Sequence, residues 1–324
     1  MDNKITKKRL SDFLSYEWIA VIAVAIACII VWELIFTMTG VRLTTGQEFK
    51  FYYDQTIYAD SSNKMYDVMT KDAETNKSIF SYDVLKISHE TLMKEYNVLY
   101  DRLSVQEGDV IVTDCVAPAE DAEDKSVRAK TIIDGQPVYD FDTLLSDAES
   151  YLAKLLKDGL DVTTTDVCVF ENLDGEKIEK LFLDRMKRDN RFRTEEAKTD
   201  GIKLEKERIQ TLCDEVRKFR ILLSQGEEYF FMYSRYEQVL LSELSSESAE
   251  YYQKNKDQSP KKYGLRVEAL TGGIDPSELF KLQDSDNAKD VVVLVFNFLK
   301  YQPHLQFECI SFLNAIVSEC SNLY

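Results

Sequence analysis

Thr113, Asp114 and Cys115 put a hydroxyl, a carboxyl and a thiol in consecutive positions at the end of a short apolar run, Asp109 to Thr113 (DVIVT). If that run is a buried strand, the three side chains stand at its carboxyl end, where the ligands of open α/β sheets collect. A second group is aromatic. Tyr229, Phe230, Phe231, Tyr233 and Tyr236 crowd one stretch, EEYFFMYSRYEQVLL, and such rings line sugar and peptide pockets as well as filling cores. Tyr229 and Tyr233 therefore join Thr113 and Asp114 as candidate ligand contacts.

Motifs for covalent or metal chemistry are missing. The sequence has no G-x-S-x-G, no H-E-x-x-H, no phosphate-binding loop and no dinucleotide fingerprint, so no catalytic residue is assigned and a non-enzymatic role is expected. Asp284, Asp286 and Asp290 have the spacing of a calcium loop without its glycine or closing glutamate, which leaves turn chemistry. His89 and His304 are far apart, and His89 is expected at the surface in the first turn of a helix. Six cysteines, at 28, 115, 168, 213, 309 and 320, form no zinc pattern. Neither metal nor cofactor is expected. Cys309 and Cys320 fall on one predicted helix, on the order of 16 Å apart along its axis, too far to bridge each other. Buried free thiols are the simplest reading of the cysteines, with one disulfide between separate elements left open. The many acidic residues permit carboxylate pairs of the glycoside-hydrolysing kind, but abundance alone selects none.

Charge narrows the partners. Asp and Glu number 57 against 40 Lys and Arg, a net charge of −17, and no basic stretch interleaved with aromatics lies beyond the N-terminus. Nucleic acid is excluded as an expected partner.

The elements that must position these residues begin with a membrane segment. Trp18 to Trp32 reads WIAVIAVAIACIIVW without a charge, and LIFTM follows Glu33. Residues 18–38, at about 1.5 Å per residue, span roughly 31 Å, the thickness of a bilayer core. Lys4, Lys7, Lys8 and Arg9 precede this segment, against Arg42 and Lys50 after it, which places residues 1–17 in the cytoplasm and residues 39–324 outside the cell. Ala25-Ile26-Ala27-Cys28 loosely matches a cleavage site or a lipobox, yet it falls mid-run, whereas cleavable signals end their apolar region before the site. An uncleaved signal-anchor in the cell membrane is expected. Glu33 has two readings: an outer-third carboxylate reaching water at the headgroups, or a contact with a membrane partner, since ionisable groups inside spans often face one.

Beyond the anchor, Gln47 to Asp54 (QEFKFYYD) and Ile79 to Ile87 suit strands. Ser88 suits the N-cap of a helix carrying Leu92, Tyr96, Leu99 and Leu103 on one face, stopped by Gly108. With the strand DVIVT this makes a strand–helix–strand unit with parallel pairing. Asp134-Gly135 signals a turn between two short strands. Helices are expected from Phe141, from Asp174-Gly175 and from Lys203 to Leu223, with an exposed charged segment from Lys187 to Lys198. A strand is expected over Thr165 to Phe170, a short helix over Ser245 to Lys256 and a loop from Lys261 to Gly273. Val291 to Phe296 (VVVLVF) is a strand, and Pro303 opens a final helix. Asn76-Lys77-Ser78 is a glycosylation sequon if the host modifies such sites.

Two stretches carry a family resemblance. EYNVLYDRLSVQEGDVIVTD, a helix with an arginine before an acidic glycine turn and a strand ending in aspartate, resembles the first lobe of extracellular solute-binding proteins. KKYGLRVEALTGG, VVVLVFNF and PHLQFECISFLNAIV resemble the tail of such proteins, particularly membrane-anchored relatives found beside bacterial sugar transporters. The resemblance implies an α/β fold with two lobes behind one transmembrane helix. It implies capture of a small solute, of sugar or peptide class, for or with an ABC transporter permease. The chain departs from the family in keeping an anchor in place of a lipoprotein signal, and in having no tryptophan outside that anchor. The competing expectations are a ligand-free envelope sensor or assembly protein and, further off, an extracellular hydrolase.

Overall fold

A computed structural model describes residues 7, 18–19, 22–34, 48–54, 56–58, 86–91, 108–117, 127–164, 169–187, 189–237, 239–282, 288–298 and 307–324. The chain divides into two units, Met1–Thr44 and Thr45–Tyr324. In the first, residues 18–19 and 22–34 are helical with exposed side chains, Trp18, Ile22, Ile29 and Trp32 among them. Among the described residues no helix is long and apolar enough to cross a membrane.

The second unit is a mixed α/β fold. Its sheet contains β1 (Glu48–Tyr53), β3 (Lys86–Thr91), β4 (Val110–Asp114), β5 (Phe230–Tyr233), β6 (Lys261–Arg266) and β8 (Val291–Val295) in the order β3-β1-β4-β8-β6-β5, and β2 (Ile57–Tyr58) pairs with β7 (Lys281–Leu282) in a separate ribbon. β3 and β4 both run parallel to β1, while β8 is antiparallel to β4 and to β6, and β5 is antiparallel to β6. β3 and β4 therefore run in the same direction, but each pairs with β1, which stands between them, and not with the other as expected. β4 (VIVTD) and β8 (VVVLV) are buried at every position, the mark of strands covered on both faces.

Alternation along the strands divides the core. Phe49, Phe51 and Tyr53 of β1 and Val110 and Val112 of β4 face one side, against Leu144 of α2 (Phe141–Ala153), Val216 and Phe219 of α4 (Glu195–Leu223) and Phe312 of α6 (Glu308–Cys320). Tyr52 and Ile111 face the other side with Ala129, Ile132 and Ile133 of α1 (Arg128–Gly135). The rings of Phe49 and Phe51 lie 5.4 and 5.5 Å from that of Phe312. Between α3 (Gly175–Met186) and α4, Glu205 receives Arg185 at 2.7 Å and Arg208 at 2.8 Å, both within its buried carboxylate. Capping follows the sequence: Asp140, Asp174 and Thr194 accept from the backbone N–H of Thr143, Lys177 and Ala197 at the starts of α2, α3 and α4.

Several expectations are corrected. Ser88 is a strand residue of β3, where its hydroxyl donates to Glu48 Oε1 at 2.8 Å across the β1–β3 pair, and not a helix cap. Asp134-Gly135 ends α1 instead of turning between strands, because Ala129, Ile132 and Ile133 at helical spacing bury one face. Lys261 to Arg266 is a strand, not a loop; Gly264 is needed there because a Cβ would stand 2.4 Å from Val292 Cγ1. Phe170 opens a 3-10 turn instead of closing a strand. α4 begins at Glu195, so part of the segment read as exposed and charged is its first turn. Short helix α5 (Ser246–Asn255) lies where expected. Residues Thr45–Tyr324 form one compact unit, and the described residues do not show two lobes. The stripe Leu92 to Leu103, the sequon, Asp284, Asp286, His304 and Pro303 lie outside the described residues. Cys115, Cys309 and Cys320 are free thiols, the latter two buried, while Cys213 is disulfide-bonded, which realises the alternative left open above.

Candidate functional site

The chain leaves β1 for β3 on one side and returns to β4 on the other, so the direction of winding reverses between β1 and β4. In parallel sheets a crevice opens outside the carboxyl ends of the strands at such a reversal. The register places Tyr53 opposite Val112, so the next residues along each strand, Asp54 and Thr113, meet at that end.

They meet directly. Thr113 Oγ1 donates to Asp54 Oδ2 at 2.7 Å. Arg128, the first residue of α1, donates from Nε to the same oxygen at 2.5 Å and from Nη2 to Oδ1 at 2.9 Å. Asp54 is fully buried, and a charge there requires such partners, because desolvating a carboxylate costs several kcal/mol. The Arg128 fork and the hydroxyl supply them. Beneath this cluster Asp54 N–H donates to Val112 O at 2.9 Å, which extends the β1–β4 ladder past the end of β1.

Asp114, one residue on, is differently placed. It is 6% exposed, its Oδ1 accepts from Val116 N–H at 3.1 Å, and its Oδ2 has no hydrogen-bond partner. The Thr56 hydroxyl stands beside this carboxyl and lowers its pKa as a hydrogen-bond donor. Burial is the largest influence on Asp114 and pushes its pKa up, with the Asp54 charge adding to the rise and Arg128 opposing it. Cys115 is raised to about 12 by burial first and then by Asp290, so its thiol stays protonated and is a poor nucleophile at neutral pH. Its N–H donates to Asp290 O at 2.8 Å, and Asp290 takes a left-handed φ of 63° in the turn before β8.

From Cys115 a shallow groove continues along the same end of the sheet, lined by Asp290, Arg266, Phe231, Glu227 and Glu228. Arg266 is already paired with Glu268.

The candidate contacts do not all converge. Thr113 and Asp114 share one strand end. Tyr229 closes a 3-10 turn before β5, half-buried against the larger core cluster. Tyr233 ends β5, opposite Lys261 and on the other core face, with two strands, β8 and β6, between β5 and β4. It is buried, and its hydroxyl donates to Asp134 Oδ2 at 2.7 Å. Glu33 is exposed on the N-terminal helix. His89 is exposed on β3, its ring 5.7 Å from that of Phe51, and burial lowers its pKa. Among the described residues no group of three or more His, Cys, Asp and Glu could hold a metal ion.

Sequence reasoning missed Asp54, Thr56 and Arg128. Asp54 follows an aromatic strand as Asp114 ends an apolar one, so the strand-end rule could have found it. Nothing local marks Arg128, which reaches Asp54 across 74 positions of sequence.

Topology and site define a mixed α/β protein with a polar cradle at its winding reversal. No family model, curated protein or solved structure matches the chain.

Proposed function

We propose that this is a membrane-tethered, extracytoplasmic solute-binding-like protein that takes a small polar solute at the carboxyl ends of β1 and β4, for or with an ABC transporter. One observation carries the reading: at the winding reversal the buried carboxyl of Asp114 keeps Oδ2 short of a full set of hydrogen bonds, beside the Asp54 carboxylate that Arg128 and Thr113 hold. Unpaired buried polar atoms cost about 1–3 kcal/mol each, and a ligand offering donors would recover that. Two features support the location. The side chains of residues 22–34 are apolar except for Glu33 and exposed, and lipid is the solvent in which such a surface is stable. The disulfide at Cys213 suits an oxidising, extracytoplasmic compartment. The resemblance implies two lobes closing on the solute; the cradle needs only the strand ends, with closure as the finer form of the proposal.

The test is a thermal-shift screen of the full chain in detergent micelles across sugars, oligopeptides and polyamines, since a ligand of the native state raises its melting temperature. A flat response to all three classes refutes solute capture. Protease added to intact cells should degrade residues 45–324, and protection would refute the topology.

A second reading has its own observation. Because Thr45–Tyr324 form one compact unit, the domain could act without a ligand as an envelope sensor or assembly protein, with Glu33 meeting a membrane partner. Co-purification of a permease or kinase that is lost in Glu33→Leu, together with a flat ligand screen, would favour it.

A further inference from the structure

We infer that the open groove beyond Cys115 takes an arginine side chain of an extended peptide; the inference rests on the solute-binding reading above and gives it a ligand class. Neighbouring strands build this groove at one end of the sheet. Glu227 and Glu228 lie in the 3-10 turn that leads into β5, where Phe230 pairs with Leu265 of β6. Arg266 follows in β6 and pairs with Val292 of β8, and Asp290 stands just before β8. The β5–β6 register shifts between Phe231 and Met232. Such a bulge re-aims the side chains of an edge strand, and both residues, half-buried, come to line the groove.

The uncompensated charges of the groove have one sign. Glu227 and Glu228 are exposed and Asp290 is half-buried, and among the described residues none of these three carboxylates enters an ion pair. Arg266 is already neutralised by Glu268. Elsewhere acidic side chains find partners within the fold, as Glu149 does in Arg220 and Glu215 in Lys218. A cleft lined by one sign of charge over low-dielectric walls concentrates the opposite sign. The apolar lining then selects among cations. A guanidinium is planar, carries five N–H donors in a rigid fork and stacks on aromatic rings, so it can lie on Phe231 and serve more than one carboxylate. Its methylene stem suits the apolar surface of Met232. An ammonium is a compact, strongly hydrated point charge, and a sugar brings no charge at all. Length selects a peptide: from β5 to the end of β4 the groove crosses three strand spacings, roughly 14 Å. That is more than one side chain covers and equals about four extended residues.

The experiment is calorimetric titration of the full chain in detergent micelles with N-acetyl-Ala-Arg-Ala-Ala-amide and with its lysine and citrulline counterparts, the last an uncharged copy of the arginine shape. The arginine peptide should bind tenfold or more tightly than the citrulline peptide and at least threefold more tightly than the lysine peptide. Glu227→Gln combined with Glu228→Gln changes exposed side chains outside the core and should weaken the arginine peptide at least fivefold. Glu176→Gln combined with Glu179→Gln removes the same charge from a separate groove at the start of α3 and should leave its affinity unchanged. Phe231→Leu should erase the advantage over lysine. Equal binding of the arginine and citrulline peptides, or equal losses from the two double variants, overturns the inference. If maltose binds and none of the three peptides does, the solute-binding reading survives and the arginine assignment falls. If sugars, peptides and polyamines all fail to bind, both fall together.

Discussion

Arg128 grips Asp54 with two guanidinium nitrogens, at 2.5 and 2.9 Å, and joins the start of α1 to the end of β1. The carboxylate is fully buried, so removing its partner strands a charge. Arg128→Met should destabilise the protein by about 3–5 kcal/mol, read as a fall in the urea midpoint of the full chain. The double variant Arg128→Met with Asp54→Leu should recover most of the loss. Additive losses would mean the pair is not the reason for the first.

Asp109 sets a second expectation. Its pKa is raised to about 7, by burial first and further by Glu308 and Glu48, against the lowering effect of the Lys50 N–H it accepts at 2.8 Å. The folded protein therefore holds a proton that the unfolded chain releases near 3.8. Stability from this group is full below that value and is lost as pH rises toward 7. Asp109→Asn can still accept from Lys50, so it should melt higher than the parent at pH 8 and no higher at pH 4.

Glu205 has the opposite sign. Burial alone would raise its pKa, but Arg208 and Arg185 overcome that and bring it down to about 2. Its contribution is present above the unfolded value of 4.5 and disappears as pH falls toward 2. Glu205→Gln should cost about 3–5 kcal/mol at pH 7, and the gap between variant and parent should close on acidification. A constant gap from pH 6 to pH 2.5 would show that the ion pairs are not its source.

Gly108 gives a conformational test. It has a φ of 106°, and a Cβ there would lie 2.3 Å from Cε2 of the buried Tyr52 ring. Gly108→Ala should lose about 1–3 kcal/mol with an unchanged denaturant slope, and Tyr52→Leu should relieve the clash without relieving the dihedral cost. Full rescue by Tyr52→Leu would show that space alone requires the glycine.

How much of this was legible in the sequence depended on range. Strands β1, β4 and β8 announce themselves by composition, and the caps Asp140 and Asp174 by side chains that act within three residues. Gly264 misled because glycine usually breaks a strand, whereas here the reason for it, Val292, lies in a neighbouring strand. Ser88 suits a cap locally and becomes a strand residue through pairing with β1, 40 positions away. The site divides in the same way. The strand-end rule finds Thr113 and Asp114, but the pairing of Asp54 with Arg128 is a tertiary fact. Tyr233 looked like a pocket ring because sequence shows a ring's neighbours in the chain and not Asp134, its partner across 99 positions.

β8 follows every other strand of the main sheet in chain order, yet it lies inside it, joining β4 to β6. During vectorial synthesis, β4 has no neighbour on that side until Val291–Val295 has left the ribosome, and β5 and β6 form only a detached hairpin. The sheet therefore assembles late, from a nearly complete chain. Nascent molecules halted before residue 291 should remain protease-sensitive throughout, whatever their length.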